Sequence, residues 1–190
     1  MPRDFTTIVS GLPRSGTSAA MQMIVAGGVP ALTDGQRTAD ADNPRGYFEF
    51  ERVKALRADK AWLDLAQGKV VKVIHLLLTE LPADRPYRVV FMERDLREVV
   101  KSQATMLARA SKPGGALPPE RLMAIYEQQL AQVRGWLAAR PQFAVLPVRH
   151  AEMVRDPSGA AKAVAAFLGG GMDESAMAAA IDPTLHRNRA

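Results

Sequence analysis

The sequence predicts an α/β protein in three layers, a mainly parallel sheet of about four or five strands with helices on both faces. Three observations carry that expectation. The runs Phe5 to Ser10, Val70 to Ile74, Arg88 to Met92 and Phe143 to Val148 are nearly continuous in apolar residues, the pattern of strands buried on both faces. They alternate with longer stretches whose apolar positions fall three and four residues apart, the period of a helix. The first run passes straight into a glycine-punctuated loop and a helix-forming segment, an arrangement in which backbone N–H groups and a helix dipole converge on an anion.

In chain order, the first strand and its loop lead to a helix over Thr17 to Ala26, stopped by Gly27-Gly28. Val29 to Leu32 is a candidate short strand. Thr33 to Arg45 is polar and interrupted by Asn43-Pro44, which predicts a long irregular loop of the kind that often carries function. A helix is expected over Glu51 to Ala66, ended by Gly68. The Val70 strand then delivers His75 to its C-terminal end. After Pro82 and Pro86, the strand at Arg88 to Met92 leads through Glu93-Arg94-Asp95 to a helix over Leu96 to Arg109. Ser111 to Gly115 breaks that helix, and Pro118-Pro119 opens a long one to about Ala139, striped by Leu122, Ile125, Tyr126, Leu130, Val133 and Leu137. The last strand precedes a helix over Ser158 to Leu168, a Gly169-Gly170-Gly171 break, a short Ala/Met-rich helix and a basic tail. No repeat or second hydrophobic unit interrupts this, so residues 1–190 are expected to form one domain.

Composition narrows the chemistry. With 190 residues, 47% of them hydrophobic, the chain can bury a substantial core. The formal charge of +5 favours anionic partners. The basic residues are interspersed rather than striped, which argues against a nucleic-acid binder. The absence of cysteine removes thiolate and disulfide chemistry. Met1-Pro2-Arg3-Asp4 resembles no signal peptide, and no apolar run approaches the roughly 18 residues that span a bilayer. The expectation is a cytoplasmic protein without a membrane partner.

The chemistry concentrates in Gly11-Leu12-Pro13-Arg14-Ser15-Gly16-Thr17-Ser18. Gly11 and Gly16 have the spacing of a Walker A loop, but Thr17 stands where the phosphate-binding lysine belongs, and Arg14 is the loop's own cation. A Mg²⁺-dependent kinase or NTPase also needs an acidic metal ligand. The nearest candidate, Asp95, follows Glu93-Arg94, and that arginine would oppose a cation. Arg94, at a strand end, and Ser102, eight residues later on the next helix, can reach one phosphate together. A P-loop kinase or NTPase and a non-catalytic nucleotide binder stand as alternative functions for these elements.

Taken together, the two elements resemble the donor site of sulfotransferases that use 3′-phosphoadenosine 5′-phosphosulfate (PAPS), most closely the small bacterial members of that family. The loop resembles the family's 5′-phosphosulfate loop, and Arg94 with Ser102 resembles its 3′-phosphate pair. Arg149 to Pro157, followed by Phe167-Leu168-Gly169, is similar to the family's C-terminal YEDLxxDP…FLG segment, except that His150-Ala151 replace the usual Tyr-Glu. The resemblance covers residues 5–170. It implies a P-loop-type fold and sulfuryl transfer from PAPS to a hydroxyl or amine on a small molecule or carbohydrate, with release of PAP and no metal. Pro13, Arg14, Ser15, Gly16, Thr17 and Ser18 would then cradle the 5′ end, with Arg14 on the leaving group. Arg94 and Ser102 would hold the 3′-phosphate, and Arg187 and Arg189 of the tail could fold back onto it. The base remains open among Glu49, His75 and Glu51. Loop segments 33–50 and 103–121 are expected to shape the acceptor pocket.

Overall fold

The structure is a computed structural model that describes residues 4–36, 46–109 and 117–182. Among these residues four parallel strands form one sheet: β1 (Thr6–Gly11), β2 (Val70–Lys72), β3 (Tyr87–Glu93) and β4 (Phe143–Arg149), in the order β2-β1-β3-β4. Among the described residues six α-helices accompany them: α1 (Thr17–Ala26), α2 (Leu96–Arg109), α3 (Pro119–Ala138), α4 (His150–Arg155), α5 (Pro157–Phe167) and α6 (Glu174–Ala179).

Alternation along the strands sorts the core into two faces. Val9, Val90 and Met92 pack against Met21 and Ile24 of α1, Val164 of α5 and Met177 of α6. Their neighbours Ile8, Val89 and Phe91 turn the other way, toward Val133 and Leu137 of α3 and the Trp62 region. Both faces of the central strands β1 and β3 are therefore dry, which is why apolar residues there occupy both alternating sets of positions, whereas β4 at the edge is largely exposed. Burying each such side chain is worth about 1.5–3 kcal/mol. At the edge, β4 carries Pro147, a residue that lacks the N–H a further strand would need.

Strand order positions the site. β1 leads through α1 to β2 on one side of it, while β3, on the other side, leads through α2 and α3 outward to β4. Connections that diverge in this way open a crevice beyond the C-terminal ends of β1 and β3, where open α/β sheets bind their ligands. Gly11 pairs with Met92 at that end, so the glycine loop and Arg94 flank the same crevice.

Three expectations are corrected. Glu51 to Ala66 is not one helix but two 3-10 segments, Glu51–Ala55 and Ala61–Ala66. Asp59 breaks it, accepting from the Ala61 N–H and binding Arg52 instead of continuing the helix. The strand at Val70 ends at Lys72, and the chain turns through Ile74 into a 3-10 helix, His75–Glu80. Val29 to Leu32 forms only an isolated bridge, Ala31 with Val70. α4 is an element the sequence pattern did not announce. Among the described residues, no helix is long and apolar enough to cross a membrane.

Candidate functional site

The loop after β1 is shaped by backbone conformation. Gly11 (φ 147°) lies so close to β3 that an added Cβ would sit 2.7 Å from the Met92 carbonyl oxygen and 2.6 Å from Ser15 Oγ. Gly16 (φ 97°) is covered by the His150 ring, whose Cδ2 would be 2.5 Å from a Cβ. Both positions demand glycine, for conformation and for space. Arg14, at φ 70°, adopts the left-handed region without being glycine, a backbone cost that loops carry where a side chain must be aimed. Leu12 anchors the loop in an apolar cluster with Val99, Val100 and Tyr126, and the Ser15 N–H closes the turn onto the Leu12 carbonyl at 3.1 Å. α1 starts at Gly16 with no side-chain cap and no acidic residue in its first turn, which leaves N–H donors and the positive dipole end for an anion. Ser15 Oγ is buried without a hydrogen-bond partner, so the cradle carries unused polar capacity.

The β1/β3 corner brings the predicted cations together. Arg94 Nε pairs with Glu98 at 2.7 Å, both side chains being about nine-tenths buried. Arg94 Nη1 donates to the Arg14 carbonyl at 3.0 Å. Arg14 Nε in turn donates to Ser102 Oγ at 3.0 Å. The arginine at the strand end, the serine two turns along α2 and the loop arginine thus form one hydrogen-bonded network. Glu98, four residues after Arg94, was missed in the sequence although it sits at the spacing of a helical ion pair.

A second corner forms beyond β2. Lys72 extends toward α1, donating to Ser18 Oγ at 3.3 Å and to the Tyr47 carbonyl, with Glu49 Oε1 3.9 Å away. The Lys72 side chain is only 10% exposed and that of Glu49 25%, so the lysine is sheltered while the carboxylate keeps an open side. Phe48, just before Glu49, is held at φ 52°. Thr33 Oγ1 donates to the Glu49 carbonyl at 2.8 Å, and Asp34 accepts from the Glu51 N–H at 2.6 Å. N–H donors from Glu51 and Gln36 hold the Asp34 carboxyl below its ordinary value. The irregular segment is thereby pinned around Glu49. Glu51 itself is turned into a surface pair with Lys54. Lys72 escaped the sequence reading because a lysine at a strand end carries no signature without its tertiary neighbours.

His75 occupies the space between the corners. It is 3% exposed, its Nε2 lies 3.0 Å from Gln129 Oε1 of α3, and the ring rests on the Gly11 backbone. Burial pushes its pKa down, against the raising effect of Gln129 and of the Gly11 backbone, so at neutral pH the imidazole is uncharged. Pro13 is exposed at the loop's outer edge, while Gly16, Thr17 and Ser18 are half-buried along the cradle. Arg187 and Arg189 lie outside the described residues, as do the loop positions 37–45 and 110–116. Among the described residues, no group of three His, Cys, Asp or Glu side chains is placed to hold a metal ion.

None of the curated proteins compared matches the chain in sequence. Among solved structures, the sulfotransferase domain of the Synechococcus olefin synthase superposes with a TM-score of 0.61 at 14% identity, covering 100% of this chain and 89% of that one. The sulfotransferase domain from the curacin biosynthetic pathway gives 0.57 at 13% identity, covering 100% and 93%. Retinol dehydratase, solved with androsterone and the inactive cofactor PAP, gives 0.53 at 16% identity over 94% of this chain and 63% of its own. These identities speak for a shared fold. The sulfotransferase domain model itself matches residues 4–185, and the chain belongs to that sulfotransferase family.

Proposed function

We propose that this sulfotransferase takes its sulfuryl group from PAPS and delivers it to a hydroxyl or amine of a small acceptor, releasing PAP. The observation that carries the reading is the single network joining Arg14, Arg94 and Ser102 beside a glycine cradle with an uncapped helix N-terminus. Two anion corners at one crevice suit a donor that carries a 5′-phosphosulfate and a separate 3′-phosphate. That retinol dehydratase was crystallised with PAP is in keeping with this donor.

In this reading the α1 N–H groups and the Thr17 and Ser18 hydroxyls hold the 5′-phosphate. Arg94 and Ser102 hold the 3′-phosphate, the buried Glu98 keeping the arginine's fork in place. The acceptor oxygen or nitrogen forms a bond to sulfur as the bond from sulfur to the bridging oxygen breaks. Negative charge grows on that oxygen, and this reading assigns Arg14 to meet it. Lys72, sheltered beside Ser18, is a second cation for the same cradle. Glu49 takes the acceptor's proton, since it is the candidate base with an open side. His75, closed in between Gln129 and Gly11, supports the loop. Small molecules such as sterols or retinoids, and carbohydrates, both remain within the acceptor class.

Calorimetric titration with PAP, ADP, AMP and ATP–Mg²⁺ tests the donor. Micromolar or tighter PAP binding, without metal and at least about tenfold better than ADP, is the expected result. Preference for ATP–Mg²⁺ would return the chain to the kinase reading.

A further inference from the structure

His150 follows β4 directly and opens α4, yet its ring lies on the glycine loop at the other end of the chain. The residue is 7% exposed. A Cβ placed on Gly16 would meet the ring edge, 2.5 Å from Cδ2 and 3.4 Å from both Cγ and Nε2. Gly16 is the residue from which α1 starts, at φ 97° and ψ 15°. Its carbonyl accepts the first helical bond, from the Ala20 N–H at 3.1 Å. The N–H groups just after it are the donors that an anion would use.

The backbone at Gly16 therefore aims those donors, and a glycine with open space around it holds no direction by itself. Gly11, at the start of the loop, is fixed by its pairing with Met92 in the sheet. Gly16 lies beyond the last strand pair, so packing has to supply what pairing does not. The His150 ring is the side chain that fills the space a Cβ would take. The Arg94 corner is tied to the loop at a different residue, through the Arg14 carbonyl and the Arg14 side chain.

We propose that His150 is a positioning residue for the 5′ half of the donor site: its ring braces Gly16 so that the first N–H groups of α1 stay aimed at the 5′-phosphate. This rests on PAPS being the donor. The brace acts by shape, so another flat ring should replace it. Its effect belongs to ligands with a 5′-phosphate and leaves the 3′-phosphate corner untouched.

The test measures binding of PAP, adenosine 5′-monophosphate and adenosine 3′-monophosphate to wild type, His150→Ala and His150→Phe. His150→Ala should weaken PAP and the 5′-monophosphate about tenfold each, while the 3′-monophosphate changes by less than about twofold. His150→Phe should keep all three within about threefold of wild type. An equal loss for all three ligands in His150→Ala, or no loss for any, would overturn the brace. So would a His150→Phe protein as weak toward PAP as His150→Ala. Should His150→Ala fail to fold, as its melting curve would show, His150→Gln replaces it with the same expected contrast between 5′- and 3′-monophosphate, and an equal change in the two refutes the proposal. Wild-type protein that binds no PAP would instead overturn the PAPS reading itself.

Discussion

The two corners of the crevice are built in opposite ways. At the β1/β3 end, the Arg94 cluster comes from one strand-to-helix unit: Arg94, Glu98 and Ser102 follow at intervals of four residues on and before α2. Their side chains fall on one face because the helix repeats every 3.6 residues. At the β2 end, Ser18, Glu49 and Lys72 come from three separate segments. The first corner is local and ion-paired, the second assembled and partly open. A fixed, preorganised corner suits the part of the substrate that never changes. An assembled one suits a part that varies between relatives, because loops can be exchanged without disturbing the sheet.

Substitution can break this contrast. The largest effect is expected from Arg14→Ala, which should lower kcat by about a hundredfold or more; steady-state rates with saturating PAPS measure it, and unchanged turnover would remove Arg14 from the chemistry. Next, Glu49→Gln should reduce kcat about a hundredfold, while His75→Gln costs about tenfold or less. The reverse order would move the base from the open corner to the buried histidine.

Stability sharpens the contrast further. Arg94→Ala removes the 2.7 Å ion-pair partner of a Glu98 side chain that is about nine-tenths buried, and breaking a buried ion pair from one side lowers stability by up to about 3–5 kcal/mol. Urea unfolding should show that loss, and Arg94→Met with Glu98→Leu should recover most of it. At the open corner, Lys72→Met removes a partner 3.9 Å from a carboxylate that is a quarter exposed, so its effect on stability should be clearly smaller.

The smallest effect concerns pH. Burial lowers the His75 pKa below the ordinary 6.5. As pH falls below 6.5, the unfolded chain takes up a proton that the folded protein resists, so stability declines through that window until the folded pKa is passed. Denaturation of wild type and His75→Gln at several pH values should show a steeper acid decline for wild type. Parallel curves would mean that the ring is less enclosed than its position implies.

The strand–loop–helix at Gly11 to Ser18, the apolar strands and the spacing of Arg94 and Ser102 were legible in the sequence because each is a local code. Glycine positions follow from backbone sterics, strand runs from burial on both faces, and helical spacing from a fixed period. The long segment after Glu51 misled, since its apolar spacing suits a helix while Asp59 ends the turn through bonds that composition does not display. Lys72 and Gln129 were invisible for a related reason. Their meaning depends on Ser18, Glu49 and His75 arriving beside them from distant parts of the chain.

By itself, then, the sequence determined the strands, the glycine loop and the spacing of Arg94 and Ser102, all products of short-range geometry and burial. Only the tertiary structure decided that Arg14 and Ser102 share a hydrogen bond, that Lys72 shelters beside Glu49, that His75 is shut between Gln129 and the loop, and that His150 lies on Gly16. Those are contacts across the C-terminal ends of the strands. The strand order β2-β1-β3-β4 that creates them is fixed by how the two faces bury their apolar surface together.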